Sequence, residues 1–125
     1  DWGYAKEYVE GMYLMLQHDT ADTFVLATNK TYSIRDFAEM ALKVVNIDIE
    51  WIGEGEKEKG INKSTGKEII TINPKYYRPC EVEFLKGSAK KAKDLLGWES
   101  KTSLNKLCEI MVEADIQRTK NNTHA

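Results

Sequence analysis

What this chain has least of decides most of what it can do. Among 125 residues there are two prolines, two cysteines and two histidines. No apolar run approaches the ~20 residues that a membrane-spanning helix needs. Cys80 and Cys108 lie far apart without CxxC spacing, which excludes a zinc ribbon and a disulfide framework and makes a reducing cytoplasm the expected compartment. His18 stands at the end of an expected helix, where the helix dipole accounts for it, and His124 lies in the tail, so no metal site is expected. No Gly-x-Gly-x-x-Gly or Gly-x-x-Gly-x-x-Gly turn cradles a dinucleotide, there is no P-loop, and no Tyr is followed four residues later by Lys. By itself the chain is a poor candidate catalyst. It also lacks an excess of either charge: 18 basic and 20 acidic residues leave a formal net charge of -2 with no basic block. That balance recommends no nucleic-acid partner, yet a small nucleotide needs only one or two well-placed cations. Asp1-Trp2-Gly3 does not read as a signal peptide, and the Asn-x-Ser/Thr patterns at Asn29, Asn62 and Asn121 are short enough to arise by chance.

What is present reads as one globular domain. Hydrophobic residues make up 42% and charged residues 30%, and a soluble chain of this length buries roughly two-thirds of its unfolded surface. Ala5, Tyr8, Val9, Met12 and Leu16 recur at helical spacing and predict an amphipathic helix over 4–18. Residues 24–28, Phe-Val-Leu-Ala-Thr, read as a buried strand. Ser33 is a good N-cap for a helix carrying Ile34, Phe37, Ala38, Ala41, Leu42 and Val45, with Asp36 in its first turn. Ile47, Ile49 and Trp51 alternate with polar residues as in a half-buried strand; 53–67 reads as a long loop and 68–72 as the returning strand. Val82 and Phe84 suggest a further short strand. Ser88 is expected to cap a helix with Ala89, Ala92, Leu95 and Leu96 that stops at Gly97, and Ser103 to begin a last helix with Leu104, Leu107, Cys108 and Met111 on one face. Residues 121–125 are expected to fray. The sum is an α/β piece without the run of consecutive βα units that a complete doubly wound sheet requires.

One polar constellation looks able to hold a ligand: Tyr76-Tyr77-Arg78-Pro79-Cys80-Glu81. Pro79 fixes its own φ and keeps Arg78 out of the helical region, so a stiff turn here would bring Arg78 and Glu81 to one side. An arginine fork suits a phosphate, and a carboxylate suits the paired hydroxyls of a ribose. The same two residues also suit a surface ion pair of little consequence. Both readings stand on chemistry alone.

Several spaced segments carry a resemblance. Pro74-Lys75-Tyr76-Tyr77-Arg78-Pro79-Cys80-Glu81-Val82 is followed by Lys91-Ala92-Lys93-Asp94-Leu95-Leu96-Gly97-Trp98 and by Met111-Val112-Glu113-Ala114-Asp115. The chain opens on Asp1-Trp2-Gly3-Tyr4-Ala5-Lys6-Glu7-Tyr8-Val9. Together, and in this order, these resemble the C-terminal part of the GDP-mannose 4,6-dehydratase family, with Tyr4 where that family usually has histidine. Ser88-Ala89-Lys90 and Glu99-Ser100 depart from the family at expected helix boundaries, away from the ligand segment.

The resemblance implies an extended short-chain dehydrogenase fold whose N-terminal Rossmann domain holds NADP and whose smaller C-terminal part binds the nucleotide sugar. It implies conversion of GDP-mannose to GDP-4-keto-6-deoxymannose, on the way to GDP-fucose and related deoxysugars, with the family's catalytic residues outside this chain. Residues 1–120 are then a single nucleotide-sugar-binding domain cut from a longer chain, inactive alone. Arg78 is expected on the diphosphate and Glu81 on the ribose of GDP-mannose, with no partner among nucleic acids or membranes and a homo-oligomeric parent. The alternatives are the substrate domain of another NAD(P)-dependent sugar-nucleotide epimerase, dehydratase or reductase, or a binding module without catalysis.

Overall fold

A computed structural model of the chain describes residues 1–78, 80–82 and 84–121. The chain is a small α/β domain: helices α1 (Ala5–Leu16) and α2 (Ile34–Val44), strands β1 (Ile49–Ile52), β2 (Lys59–Asn62) and β3 (Glu68–Thr71), then helices α3 (Lys90–Leu96) and α4 (Leu104–Lys120). Short 3-10 turns occupy Gly55–Lys57 and Pro74–Tyr76. The strands form one antiparallel sheet in the order β1-β2-β3.

The helix starts follow local chemistry. Ser33 accepts from the Asp36 amide, and the Asp36 carboxylate accepts in return from the Ser33 amide and hydroxyl, closing a capping box. The Ser33 hydroxyl and amide hold the Asp36 carboxyl below its ordinary pKa. Ser103 likewise accepts from the Lys106 amide at the start of α4. The other expected cap fails: Ala89, not Ser88, occupies the N-cap position of α3 and makes no side-chain cap. The Ala89 amide is instead taken at 3.0 Å by the side chain of Asn29, which bends back with φ 63°. Gly97 ends α3 in the left-handed conformation, φ 69°, as expected of a glycine there.

Two small cores hold the helices. Ala89, Ala92 and Trp98 are buried against Tyr8, Leu14, Phe24, Leu26 and Leu96. Leu104, Leu107 and Cys108 are buried against Tyr4, Tyr32, Phe37 and Met40. Burial pushes the Cys108 thiol pKa up, which suits a packed and unreactive cysteine. The face of α1 differs from the expected one. Val9, Met12 and Leu16 are 62, 57 and 81% exposed, while Gly11 is buried. A Cβ on Gly11 would lie 2.7 Å from Leu26 Cδ1 and 3.0 Å from Trp98 Nε1, so the missing side chain is what lets these residues reach the helix.

The loop expected over 53–67 contains β2. Gly60 pairs with Trp51 across the ladder and with Ile70 on its other side. A Cβ there would stand 3.3 Å from the Trp51 ring and 3.1 Å from Ile70 Cβ, so the glycine leaves room for the indole to lie across the strand. The β2–β3 turn is held by Asn62, whose side chain accepts from the Ser64 and Thr65 amides, with Gly66 at φ 68°.

Two expected strands form no ladder. Residues 24–28 pair with nothing among the described residues, because no neighbouring strand lies within reach to accept the ladder bonds. Val82 and Phe84 are exposed and likewise unpaired, and Glu83 between them lies outside the described residues. The fraying expected over 121–125 falls mostly outside them too: α4 runs to Lys120 and Asn121 follows it as the C-cap.

Candidate functional site

A cavity of about 820 Å³ opens between the start of α2, the sheet and the segment after β3. Each wall has a local cause. Asn73 accepts from the Lys75 amide and, with Pro74 at the first position, sets the 3-10 turn that ends on Tyr76. Tyr77 then leaves extended, φ -67° and ψ 130°, and delivers Arg78 to the rim. Pro79, expected to stiffen this turn, lies outside the described residues.

Arg78 and Glu81, the two residues singled out in sequence, come together. Arg78 Nη1 donates to Glu81 Oε1 at 3.3 Å, and both line the cavity. Their side chains are 79 and 61% exposed, so in this arrangement the ion pair contributes little to stability, about 0–1 kcal/mol. What the pairing does is hold a fork of donors and a carboxylate side by side at a cavity mouth. A ligand carrying a phosphate and a diol could engage them separately, trading their mutual contact for its own.

The same lining holds residues that sequence reasoning did not single out. Arg35, in the first turn of α2, pairs with the Glu58 carboxylate, whose side chain is only 13% exposed. The Arg35 guanidinium also sits 5.9 Å from the centroid of the Trp51 ring. Trp51 Nε1 donates to Glu39 at 2.7 Å, which fixes the plane of the indole. Trp2 packs on Phe37 with ring centroids 5.4 Å apart, while Tyr76 and Tyr77 complete an aromatic lining. The signal available in sequence was the helical register, which places Arg35 two residues after its cap, in the first turn. Its partner, more than twenty positions away in a segment read as loop, gave none.

Asp1, itself in the cavity lining, acts as a staple. Its carboxylate accepts from the Thr28 amide (2.8 Å), the Thr28 hydroxyl (2.6 Å), the Asn29 amide (3.1 Å) and the Gly87 amide (3.2 Å). It thereby ties the end of the 24–28 segment to the stretch that follows Glu81.

A second cavity, about 800 Å³, lies between α2 and α4. Asp36, Glu39, Asp48, Glu109 and Glu113 line it against only Lys43 and Lys63, a balance that repels phosphate. Among the described residues no group of three or more His, Cys, Asp or Glu side chains is disposed to hold a metal ion. No helix among them is long and apolar enough to cross a membrane. Among the described residues no glycine-rich turn joins a strand to a helix as a dinucleotide site requires, and those residues do not fit a bound dinucleotide.

Comparison with known proteins gives a consistent result. The family model described as GDP-mannose 4,6 dehydratase matches residues 1–111. A GDP-mannose 4,6 dehydratase of Dictyostelium discoideum is 50% identical over 97% of this chain, and the human protein of the same name is 44% identical over all of it. A GDP-mannose 4,6-dehydratase of Sinorhizobium fredii is 47% identical over 93% of the chain. The chain spans about a third of the length of these relatives, 34, 34 and 33% respectively. With the Asp-Trp-Gly opening, the Arg78–Glu81 segment and the Leu-Gly-Trp end of α3 all inside the matched span, the chain belongs to the GDP-mannose 4,6-dehydratase family.

Proposed function

We propose that residues 1–120 are the nucleotide-sugar-binding portion of a GDP-mannose 4,6-dehydratase, which converts GDP-mannose to GDP-4-keto-6-deoxymannose in the cytoplasm as a homo-oligomer. In this reading Arg78 grips the diphosphate and Glu81 accepts from the ribose hydroxyls. NADP is held by residues outside this chain, and so are the groups that move protons on the sugar.

The observation that carries the reading is the cavity that Arg78 and Glu81 rim and that Arg35, Trp51, Tyr76 and Tyr77 line. Two guanidinium forks in one lining suit a diphosphate, and aromatic rings suit a base or a sugar face. The work of these residues is to bind and orient the substrate. Binding energy from the nucleotide, remote from the reacting carbons, contributes to rate when it fixes the sugar.

The test is steady-state kinetics of Arg78→Ala in the chain extended to its relatives' length. A rise in KM for GDP-mannose with retained fold is expected. KM and kcat both within about twofold of the parent would leave the pair as the surface contact its exposure allows.

A further inference from the structure

We propose that Glu58 is a positioning residue for the nucleotide: its largely covered carboxylate holds the Arg35 guanidinium where the substrate's diphosphate meets it. The proposal rests on the reading that this cavity takes a nucleoside diphosphate sugar, and it gives a role within that site to a residue that acts through another.

Arg35 is out of place as a residue of its own helix. It stands in the first turn of α2, two residues after the Ser33 cap, where the helix dipole disfavours a cation. An arginine there weakens the helix that carries it, so its reason lies outside that helix. Its side chain is 55% exposed and shares the cavity lining with Arg78. A long side chain so exposed spreads over many rotamers, and that freedom is given up whenever a ligand is gripped.

Glu58 removes the freedom in advance. Its side chain is only 13% exposed, and the Arg35 guanidinium is the charge that partners it. Glu58 Oε1 is buried and accepts no hydrogen bond from any other group among the described residues, so moving Arg35 away would strand a covered carboxylate. The backbone that carries Glu58 is fixed as well. Gly53 turns with φ 85°, and a Cβ there would lie 2.5 Å from the Lys57 carbonyl oxygen. The 3-10 turn at Gly55–Lys57 follows, the Glu58 amide donates to the Gly55 carbonyl at 3.2 Å, and Lys59 enters β2 opposite Ile52. A second hold on Arg35 comes from Trp51, whose ring centroid lies 5.9 Å away and whose Nε1 donates to Glu39 at 2.7 Å. Glu39 follows Arg35 by one turn of α2, so these contacts close a circuit between helix and sheet. The fork is placed before any ligand arrives.

The sign of one substitution separates positioning from its rivals. Removing a carboxylate beside an anion site tightens anion binding if charge alone acts, and loosens it if the carboxylate places the fork. In the chain extended to its relatives' length, Glu58→Gln should raise KM for GDP-mannose and the inhibition constant for GDP by one factor, about tenfold. The kcat should stay within about twofold, because the grip is remote from the reacting carbons. Arg35→Ala should raise both constants at least as much, and adding Glu58→Gln to it should change neither by more than about twofold. A fall in KM with Glu58→Gln would overturn the proposal, since Glu58 would then only compete with the ligand for Arg35. Unchanged constants beside a lowered denaturation midpoint, the mark of a purely structural tie, would overturn it too, as would factors that multiply in the double variant. Should Glu58→Gln not fold, Glu58→Asp, which draws the charge back by one methylene, takes its place with the same expected direction. Arg78→Ala reports separately. Raised constants there with none in Arg35→Ala sink this proposal alone, whereas no change in either variant sinks the reading of the cavity and this proposal with it.

Discussion

Thr102 gives both its amide and its hydroxyl to one carboxylate oxygen of Glu7, at 3.0 and 2.6 Å, across 95 positions of sequence. The other Glu7 oxygen accepts from the Ser100 hydroxyl and the Lys101 amide. On the same turn of α1 the Glu7 carbonyl accepts from Trp98 Nε1 at 2.7 Å. One residue near the chain's start thus organises the link between α3 and α4. Desolvation is the largest influence on the Glu7 carboxyl and pushes its pKa up. The hydrogen bonds from Thr102, Ser100 and Lys101 together outweigh it and leave the group below its ordinary value of 4.5.

Replacing Glu7 with Gln should therefore destabilise the fold by about 1–3 kcal/mol at neutral pH, through weaker acceptance and an unmet donor. The sign of the pH dependence follows from the lowered pKa. A depressed carboxylate contributes fully above its unfolded value and loses that contribution as pH falls through the folded one. Urea denaturation should show the gap between parent and Glu7→Gln at neutral pH and its narrowing below pH 4.5. A gap unchanged in acid would mean that the charge of Glu7 is immaterial.

Gly87→Ala should cost about 1–3 kcal/mol, the usual penalty for overfilling a packed site. Its new methyl would overlap Ala27 Cβ, which has no rotamer by which to escape, and Asp1 holds the Gly87 amide in place. The denaturation midpoint reports this directly, and a midpoint equal to the parent's would show that the 85–87 stretch yields freely.

For the substrate, hydrogen bonds to charged groups contribute roughly 1.5–3 kcal/mol, so Arg78→Ala in the full-length enzyme should weaken GDP-mannose by about ten- to more than a hundredfold. Arg78→Lys should recover only part of that, because a point charge cannot reproduce the fork. A lysine variant equal to the parent would show that charge alone suffices. Glu81→Gln should raise KM for GDP-mannose while leaving the inhibition constant for inorganic diphosphate unchanged, and equal effects on both would remove Glu81 from the ribose.

The 125-residue chain incubated with GDP-mannose and NADP should yield no 4-keto product, since it offers neither a dinucleotide turn nor a Tyr/Lys pair. Calorimetric titration with GDP should give binding weaker than micromolar, because one wall of a nucleotide cleft is expected from elsewhere. Turnover by the purified chain would refute the first expectation, and tight binding the second.

Which features were legible in the sequence follows from how local their causes are. Ser33, Ser103 and Gly97 act within one helical turn, and all three are where the residues alone place them. The alternation at Ile49 and Trp51 marks β1 for the same reason. Lys59-Gly60-Ile61-Asn62 looks like loop because its strand character comes from Trp51 and Ile70 on either side of it. The face of α1 was misjudged because its contact is made through Gly11, a residue that adds nothing to a hydrophobic pattern. At the site, the proximity of Arg78 and Glu81 was legible from the turn that Pro79 leads one to expect between them. The Arg35–Glu58 contact was not, since it joins α2 to a turn beyond β1.

The antiparallel order of β1, β2 and β3 has a consequence for how the chain is made. Each strand pairs with the one just synthesised, so the sheet can close while the polypeptide is still growing. Helix α1 emerges earlier, yet Trp98 and Thr102, which secure it, come about ninety residues later. At roughly 5–20 residues per second, α1 waits on the order of five to twenty seconds on the ribosome with its best partners unmade. A helix kept waiting that long with Tyr8 and Leu14, which later pack on the Trp98 core, uncovered is where a nascent-chain chaperone would be expected to bind.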